Sequence, residues 1–366
     1  MNLTRENAVG TSISDLDTPC LLLDKKKLES NLRHMAEFFS ARDCQLRPHF
    51  KNHKCTRLAQ LQLDTGSAVG ITCAKLGEAE VLVDAGIDNV LIANQVVGRR
   101  KVSRLVELAE RGTIRVAVDS PLHVEMIGNA ASERGSNVGI LIEVDIGMGR
   151  CGLSDPDEIL ALARQIQDAS NLSFDGFQAY EGHAVSIADR DERRQVARQS
   201  MQIALDVAEH LRKNDVPVDI VSGGSSSTYD ATGTLPGVKE LQAGTYATMD
   251  WAYKQWAPEF EIALNILARV ISRPRDGVAV LDFGVKGSGD EFGGPRIVDF
   301  PGAEIPMFLS EEHCTVKTDT DWTVGQAIRA IPSHSCTTCN LYREFYLVEN
   351  DVVVDIWPIE GAGRLT

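Results

Sequence analysis

The 366-residue chain carries 52 acidic against 37 basic residues, a formal net charge of −15, with 43% hydrophobic and 24% charged residues. That is the composition of an ordinary globular protein, and its acidity excludes a general binder of nucleic acid or anionic membrane, because phosphates repel such a surface. The length fits two domains, or one barrel-sized domain with an appendage, and a small anion held in a locally positive pocket stays compatible with the charge.

The N-terminal segment (MNLTRENAVGTSISD) is polar and has no secretory hydrophobic core, and no apolar run approaches the roughly 18–20 residues that span a bilayer. A cytoplasmic location is therefore expected. Eight cysteines are too dilute for a disulfide scaffold; Cys20, Cys44, Cys55, Cys73 and Cys151 sit in apolar or strand-like contexts and read as reduced packing thiols. After the run LLLD comes an amphipathic helix, KKLESNLRHMAEFFSARD. Eight short β-branched runs then begin near Gln45, Ala68, Asn89, Ile114, Gly139, Phe174, Val218 and Glu240, most of them 21 to 25 residues apart. Between them, segments such as Leu58–Leu61, Leu76–Ala85 and Val102–Ala109 carry apolar residues at helical period. That spacing accommodates one strand, one helix and two short loops. Eight such units predict a (β/α)8 barrel over 25–255, an open doubly wound sheet being the alternative. Beyond Tyr253 the segments IALNILARVISR, GVAVLDFGV, AIRAIPSH, REFYLVEN and DVVVDIWPI alternate as strands. Residues 256–366, joined by the N-terminal strand within 1–24, predict a mostly antiparallel β domain.

In a barrel, chemistry sits at the C-terminal ends of the strands. Those ends hold His49 and Lys51, Cys73, Asn94, Asp119, Asp145, Tyr180 with His183, Gly223-Gly224-Ser225 and Gly244-Thr245. Lys51 closes the first strand in RPHFKNHK, flanked by Arg47, His49, His53 and Lys54. Desolvation and neighbouring cations lower a lysine's proton affinity and expose an amine suited to a Schiff base, although most lysines are simply solvated. The run Ser222–Ser227 (SGGSSS) and the AGT at Ala243–Thr245 follow the last two strands, where barrels often hold phosphate on backbone N–H and hydroxyl donors. Either run alone also reads as a flexible loop. An imine-forming lysine, a phosphate cup and the aromatic Tyr180 together imply pyridoxal 5'-phosphate. Near the C-terminus, His334-Ser-Cys336 read as a strand places two metal ligands on one side, leaving open positions as a catalytic metal needs. Cys339 is then a third ligand or half of a redox CTTC pair, a reading weakened by the lack of a helix N-terminus there; packed thiols beside a buried histidine are the plain alternative.

These motifs give the chain a specific likeness. DTPCLLLD (17–24), RPHFKNHK (47–54), GITCAKLGEAEVLVDAGI (70–87), EVDIGMGRCG (143–152), GFQAYEGH (176–183), SGGSSS (222–227), ELQAGTYATMD (240–250), LDFGVK (281–286), SEEH (310–313) and IPSHSCTTCNLY (331–342) cover nearly its whole length. The chain resembles the fold-type III pyridoxal-phosphate enzymes, of alanine racemase-like fold, in their D-threonine aldolase and D-serine dehydratase-like group. The resemblance implies a lyase acting on small D-3-hydroxy-amino acids, working as a homodimer with active sites at the subunit interface. It places Schiff-base formation on Lys51 and phosphate binding on Gly223, Gly224, Ser225, Gly244, Thr245 and Tyr246. It sets Arg150 beside the cofactor's phenolic oxygen, Tyr180 near its ring, and a divalent metal on His334 and Cys336. The aldolases are closer overall but carry His-x-Asp, whereas His334-x-Cys336 is the pattern of the zinc-dependent dehydratases. Sulfur favours Zn, a carboxylate accepts Mn or Mg, and Co is a further candidate. The family's DEHG reads EEHC here, which weakens a supporting role for Glu312 and His313. In an aldolase a base (His49, His183 or a metal-bound water) takes the β-hydroxyl proton, and the products are glycine and an aldehyde. In a dehydratase Lys51 removes the Cα proton, and the products are a 2-oxo acid and ammonia. Aldolase is the leading expectation and dehydratase the alternative; a non-catalytic pyridoxal-phosphate carrier, an amino-acid racemase and a zinc/redox module are the readings from other classes.

Overall fold

The structure, a computed structural model, describes residues 8–305 and 309–366; the first seven residues of the polar N-terminus lie outside the described residues. By contacts the chain falls into two units, one of Met35–Lys51, Leu58–Gly244 and Arg364–Thr366, the other of Met1–His34, Asn52–Arg57 and Thr245–Gly363.

Strand β1 (Cys20–Asp24) leads directly into α1 (Lys25–Phe39). Each of the eight β-branched runs then contributes one strand: β2 (Gln45–Leu46), β3 (Ile71–Cys73), β4 (Asn89–Ile92), β5 (Thr113–Val118), β6 (Val138–Val144), β7 (Leu172–Ala179), β8 (Ile220–Gly223) and β9 (Glu240–Leu241). They alternate with α2 (Thr56–Asp64), α3 (Leu76–Asp84), α4 (Arg99–Leu108), α5 (Pro121–Arg134), α6 (Pro156–Asp168), α7 (Arg190–Lys213) and the short α8 (Tyr229–Thr232). All eight strands are parallel in the order β2-β9-β8-β7-β6-β5-β4-β3. Parallel bridges Leu46–Ala68 and His49–Thr72 join the two ends of that order, so the sheet closes on itself as expected. Every residue of β6 is buried, as a strand covered on both faces requires. The helices begin where their sequences say: Ser120 and Asp155 cap the N-termini of α5 and α6, each followed by proline, and Gly135 in a left-handed conformation stops α5. On α4, charged RRKVSRLVEL buries only Val102, Leu105, Val106 and Leu108, the stripe that helical period predicts.

Near the strand starts the barrel interior holds charge. Arg47 donates from Nε and Nη2 to the two oxygens of Glu240 at 2.8 and 2.6 Å, and from Nη1 to Asn89 Oδ1 at 3.0 Å. Arg115 reaches the same Asn89 oxygen at 3.2 Å and Asp175 at 2.6 Å. Glycines make the room: a Cβ on Gly70 would lie 2.4 Å from Arg47 Nη1, and one on Gly139 2.8 Å from Arg115 and Asp175. Arg47, expected among the cations flanking Lys51, is thus neutralised by a bidentate carboxylate.

The other unit contains α9 (Trp251–Trp256), β10 (Leu264–Arg275), β11 (Val278–Leu281), β12 (Arg296–Ile297), β13 (Cys314–Lys317), β14 (Ala327–Ile331), α10 (Ser335–Cys339), β15 (Glu344–Glu349) and β16 (Val352–Pro358). Its sheet runs β12-β14-β10-β1-β15-β16, with β11 linking β10 to β13. Among its described strands only β1 and β15 pair in parallel; the N-terminal strand joins this sheet, as its isolation ahead of the first barrel helix suggests. The two-residue β12 and the half-exposed β13 carry too little pattern to be read in advance. None of the eight cysteines forms a disulfide. Cys151, expected to pack inside, is exposed because its glycine-flanked loop stays at the surface. Among the described residues no helix is long and apolar enough to cross a membrane.

Candidate active site

The C-terminal mouth of the barrel gathers Lys51, Tyr180 and Arg150. Lys51 lies in a 3-10 turn, Phe50–Asn52, just past the bridge made by His49. Its Nζ is 5.9 Å from the centroid of the Tyr180 ring, and the Arg150 guanidinium is 5.5 Å from the same centroid. Two cations over one aromatic ring favour an anionic, planar guest. The Nδ1 of the buried His49 accepts the Lys51 backbone N–H at 3.4 Å, so in the neutral ring the proton belongs on Nε2. His183 is exposed, its Nε2 3.0 Å from Ser200 Oγ. It leans on Gly147, where a Cβ would come within 3.2 Å of the imidazole. Asp145 accepts the Gly147 and Gly149 N–H groups, both at 3.0 Å, and the Gly149 bond foremost holds its carboxyl below the ordinary range.

The run after β8 is braced from below by a residue that sequence reasoning passed over. Glu181, fully buried, accepts the Gly224 N–H at 3.1 Å, Thr228 Oγ1 at 2.8 Å and Thr232 Oγ1 at 2.5 Å. Ser225 donates its N–H to Thr228 Oγ1 at 3.0 Å, and buried Arg193 donates to the Ser227 carbonyl at 3.1 Å. The Gly224 amide, expected to face an anion, therefore faces a carboxylate of the protein itself. A Cβ on Gly223 would lie 2.0 Å from the Ala179 carbonyl oxygen, and one on Gly224, at φ +82°, would lie 2.3 Å from Leu241. These glycines permit close strand contact and a left-handed turn. In the second run, Gly244 is half-buried, the Thr245 carbonyl accepts the Met249 N–H at 2.8 Å, and the buried Tyr246 ring is 5.8 Å from that of Phe260.

His334 and Cys336 meet at the start of α10, which corrects the expectation of a strand. His334 is the extended N-cap and Cys336 lies in the first turn. The helix forms because Asp250 captures its N-terminus: Oδ2 accepts the Ser335 N–H at 2.9 Å, the Ser335 hydroxyl at 3.0 Å and His334 Nδ1 at 2.9 Å. Met249, at φ +52°, turns the chain just before Asp250, whose Oδ1 caps α9 through the Tyr253 N–H. Asn52 donates to Ser335 Oγ at 2.7 Å and to Cys336 Sγ at 3.8 Å, and accepts from Thr248 at 2.8 Å. Burial presses the His334 pKa down, but the Cys336 charge and the hydrogen bonds to Asp250 and Cys336 outweigh it and lift it to about 11. Tyr253 stacks on the imidazole at 5.8 Å and Phe292 meets it edge-on at 5.2 Å. Cys339 is wholly buried and its thiol is pushed well above the usual range, first by burial and then by Cys336. Among the described residues no three metal-binding groups converge, so Cys339 does not complete a three-ligand cluster. A helix N-terminus does stand at Cys336, contrary to expectation; what counts against a redox pair is the burial of Cys339. Glu312 is exposed and paired with Lys286 at 2.7 Å, and His313 is exposed beside it. Asp250 and Asn52 were hidden in sequence because each acts across a long chain separation; the only local signal was an acidic residue ahead of WAYKQW, which reads as a helix cap.

Two family models match the chain: "Alanine racemase, N-terminal domain" over residues 23–250 and "Putative serine dehydratase domain" over 263–348. A D-threonine aldolase from Arthrobacter sp is 38% identical over 97% of this chain and 95% of its own length. A 3-hydroxy-D-aspartate aldolase from Paracoccus denitrificans is 33% identical over 97% and 94%. A D-threo-3-hydroxyaspartate dehydratase from Delftia sp. is 28% identical over 93% and 97%. Among solved structures, a D-threonine aldolase from Filomicrobium marinum matches with a TM-score of 0.95 at 35% identity, covering 98% of this chain and 99% of that one. The Delftia dehydratase matches at 0.86 and 26%, covering 95% and 98%, and a cysteine mutant of that dehydratase is described as metal-free.

Proposed function

The chain belongs to the pyridoxal-phosphate lyases of alanine racemase-like fold that act on D-3-hydroxy-amino acids, and within that family we propose that it cleaves its substrate by a retro-aldol reaction to glycine and an aldehyde. The observation that carries this reading is the match to D-threonine aldolases along the whole chain, 38% in sequence and 0.95 in TM-score. Dehydration to a 2-oxo acid and ammonia is the second reading, favoured by one feature: the thiol of Cys336 beside His334.

The mouth residues fit pyridoxal phosphate, since an amine, a guanidinium and an aromatic ring share one wall. The cofactor, when bound, supplies an electron sink at the substrate's Cα. Lys51 would hold it covalently and, in the second reading, would take the substrate's Cα proton. Arg150 would meet its phenolic oxygen and Tyr180 would pack near its ring. Gly223, Gly224, Ser225, Gly244, Thr245 and Tyr246 receive its phosphate; given how Gly224 and Ser225 spend their amides, the first run contributes shape and hydroxyls more than a ring of N–H donors. His49 and His183 are the candidate bases for the β-hydroxyl proton; His49 can take it only once its ring gives up the Nε2 proton that the Lys51 N–H bond to Nδ1 places there, and the Nε2 of His183 lies beside Ser200 Oγ.

His334 and Cys336 fit a divalent ion as an incomplete donor pair: Asp250 holds Nδ1, which leaves Nε2 as the coordinating nitrogen, next to a sulfur that suits Zn. Mn, Mg and Co are the other candidates. Such an ion supplies Lewis acidity toward the substrate's β-oxygen. We assign 25–255 to the cofactor barrel and 1–24 with 256–366 to the β domain carrying the metal motif, a division supported by the bounds of the two family models. A homodimer in the cytoplasm completes the reading, and mixing Lys51→Ala with His334→Ala protein tests whether two chains share a site.

The deciding experiment incubates the holoenzyme with D-threonine, D-3-hydroxyaspartate and D-serine and identifies the products. Glycine with an aldehyde is expected. A 2-oxo acid with ammonia overturns the aldolase reading in favour of dehydration, and cofactor binding without turnover leaves only the carrier.

A further inference from the structure

Arg150 rides on a loop that cannot by itself hold a long side chain. Gly147, Gly149 and Gly152 all have positive φ, at +117°, +65° and +104°. Carboxylates anchor the backbone at both ends of this loop. Asp145 takes the N–H groups of Gly147 and Gly149, and Asp119 Oδ2 takes the Gly152 N–H at 2.9 Å. The guanidinium itself is steadied by two contacts, the Tyr180 ring and Glu143 Oε1 at 3.4 Å.

Glu143 is an unusual residue for its place. It sits in β6, where every position is buried, and its side chain is 5% exposed. A carboxylate on an interior strand is costly unless its oxygens are satisfied. Here both are used: Oε2 accepts Gln95 Nε2 at 2.6 Å while Oε1 faces Arg150. Gln95 Nε2 also reaches Asp119 Oδ2 at 3.2 Å, and Asp119 Oδ1 lies 3.2 Å from His123 Nδ1 on α5. Side-chain contacts thus run from α5 across the ends of β5, β4 and β6 to the one cation on the glycine loop.

Resting on the reading that Arg150 meets the cofactor, we propose that Glu143 is the positioning residue for Arg150, holding its guanidinium over Tyr180 and tempering the positive charge presented there. Gln95 in turn holds the Glu143 carboxylate. The other charged or titratable groups around the loop are Asp119 and His123, Asp145, Cys151, His183 against Gly147, and Lys51 over the same ring. Removing the Glu143 charge leaves the guanidinium unopposed. An unopposed cation favours the anionic form of what it touches, so a bound cofactor should lose its proton at lower pH.

The test follows the visible absorbance of the holoenzyme against pH, which reports cofactor protonation independently of turnover. Glu143→Gln should move the midpoint down by about one pH unit. The same change made in an Arg150→Ala background should move it no further, because Glu143 acts through that arginine. Gln95→Ala should give a smaller shift in the same direction, and it carries the test alone if Glu143→Gln does not fold. If Arg150→Ala shifts the midpoint while Glu143→Gln and Gln95→Ala do not, the proposal is overturned. Equal shifts with and without Arg150 overturn it as well. An unchanged midpoint in Arg150→Ala instead removes Arg150 from the cofactor, and the proposal goes with that reading.

Discussion

The two ends of the barrel treat their cations in opposite ways. Near the strand starts, Arg47 is buried with both Glu240 oxygens on it, and Arg115 is tied to Asp175 and Asn89. At the mouth, Lys51 and Arg150 lie over an aromatic ring, and the carboxylate that reaches Arg150 does so at 3.4 Å. At the first end both oxygens of a buried carboxylate close on one guanidinium; at the second the Arg150 guanidinium meets its carboxylate at longer range and lies over a ring. Paired buried charge gives register and stability, whereas cations gathered over an aromatic ring at the strand ends suit a ligand site.

The sharpest way to break this contrast is to remove a mouth cation. Lys51→Ala is expected to lower turnover by about 10³-fold or more and to abolish the visible absorbance of bound cofactor, with the thermal unfolding midpoint of the apoprotein nearly unchanged. Glu240→Ala should do the reverse. Leaving Arg47 buried and unpaired should cost about 3–5 kcal/mol in denaturant unfolding, while the folded fraction keeps its kcat.

Asp250 lies in the other unit and tests whether a saturated carboxylate can serve a site indirectly. Asp250→Asn should weaken zinc binding about 10- to 100-fold in competition with a chromogenic chelator, because the tautomer of His334 is no longer enforced. Cofactor absorbance should persist in that variant. Exhaustive chelation of the wild type should remove activity while leaving the cofactor absorbance, and added Zn should restore it.

The smallest effect is expected at Asp230, on the outer face of the barrel. Burial raises its proton affinity, but hydrogen bonds from Arg194 and Arg190 outweigh this and hold the carboxyl below 3.8. A depressed folded value means the contribution is whole above the ordinary carboxyl range and fades as pH falls through the folded value. Asp230→Asn should therefore cost about 1 kcal/mol near pH 7, and the difference from wild type should shrink in urea titrations below about pH 3.8.

Much of this was legible beforehand, for reasons that differ by residue. The eight strands were readable because burial on both faces forces continuous β-branched runs, and β6 is the extreme case. Lys51 and Tyr180 were readable by position, since each follows a strand end, whereas Arg150 came only from the family resemblance of its GMGRCG motif. Cys336 was misplaced on a strand because the force that makes its helix, the Asp250 carboxylate on the Ser335 N–H, comes from 85 residues away. Arg47 was mistaken for a neighbour of Lys51 because a basic run looks alike whether or not a distant glutamate neutralises it.

By itself, then, the sequence determined the barrel, the appended sheet, the lysine at the mouth and the family, because hydrophobic period and local motifs are properties of adjacent residues. Tertiary structure alone decided which partner each of these groups meets. Glu240 takes Arg47, Glu181 takes the Gly224 amide, Asp250 takes His334, and Glu143 reaches Arg150. Apart from the last, these partners lie dozens to nearly two hundred residues apart in the chain, and only folding brings a carboxylate within hydrogen-bonding distance of the group it holds.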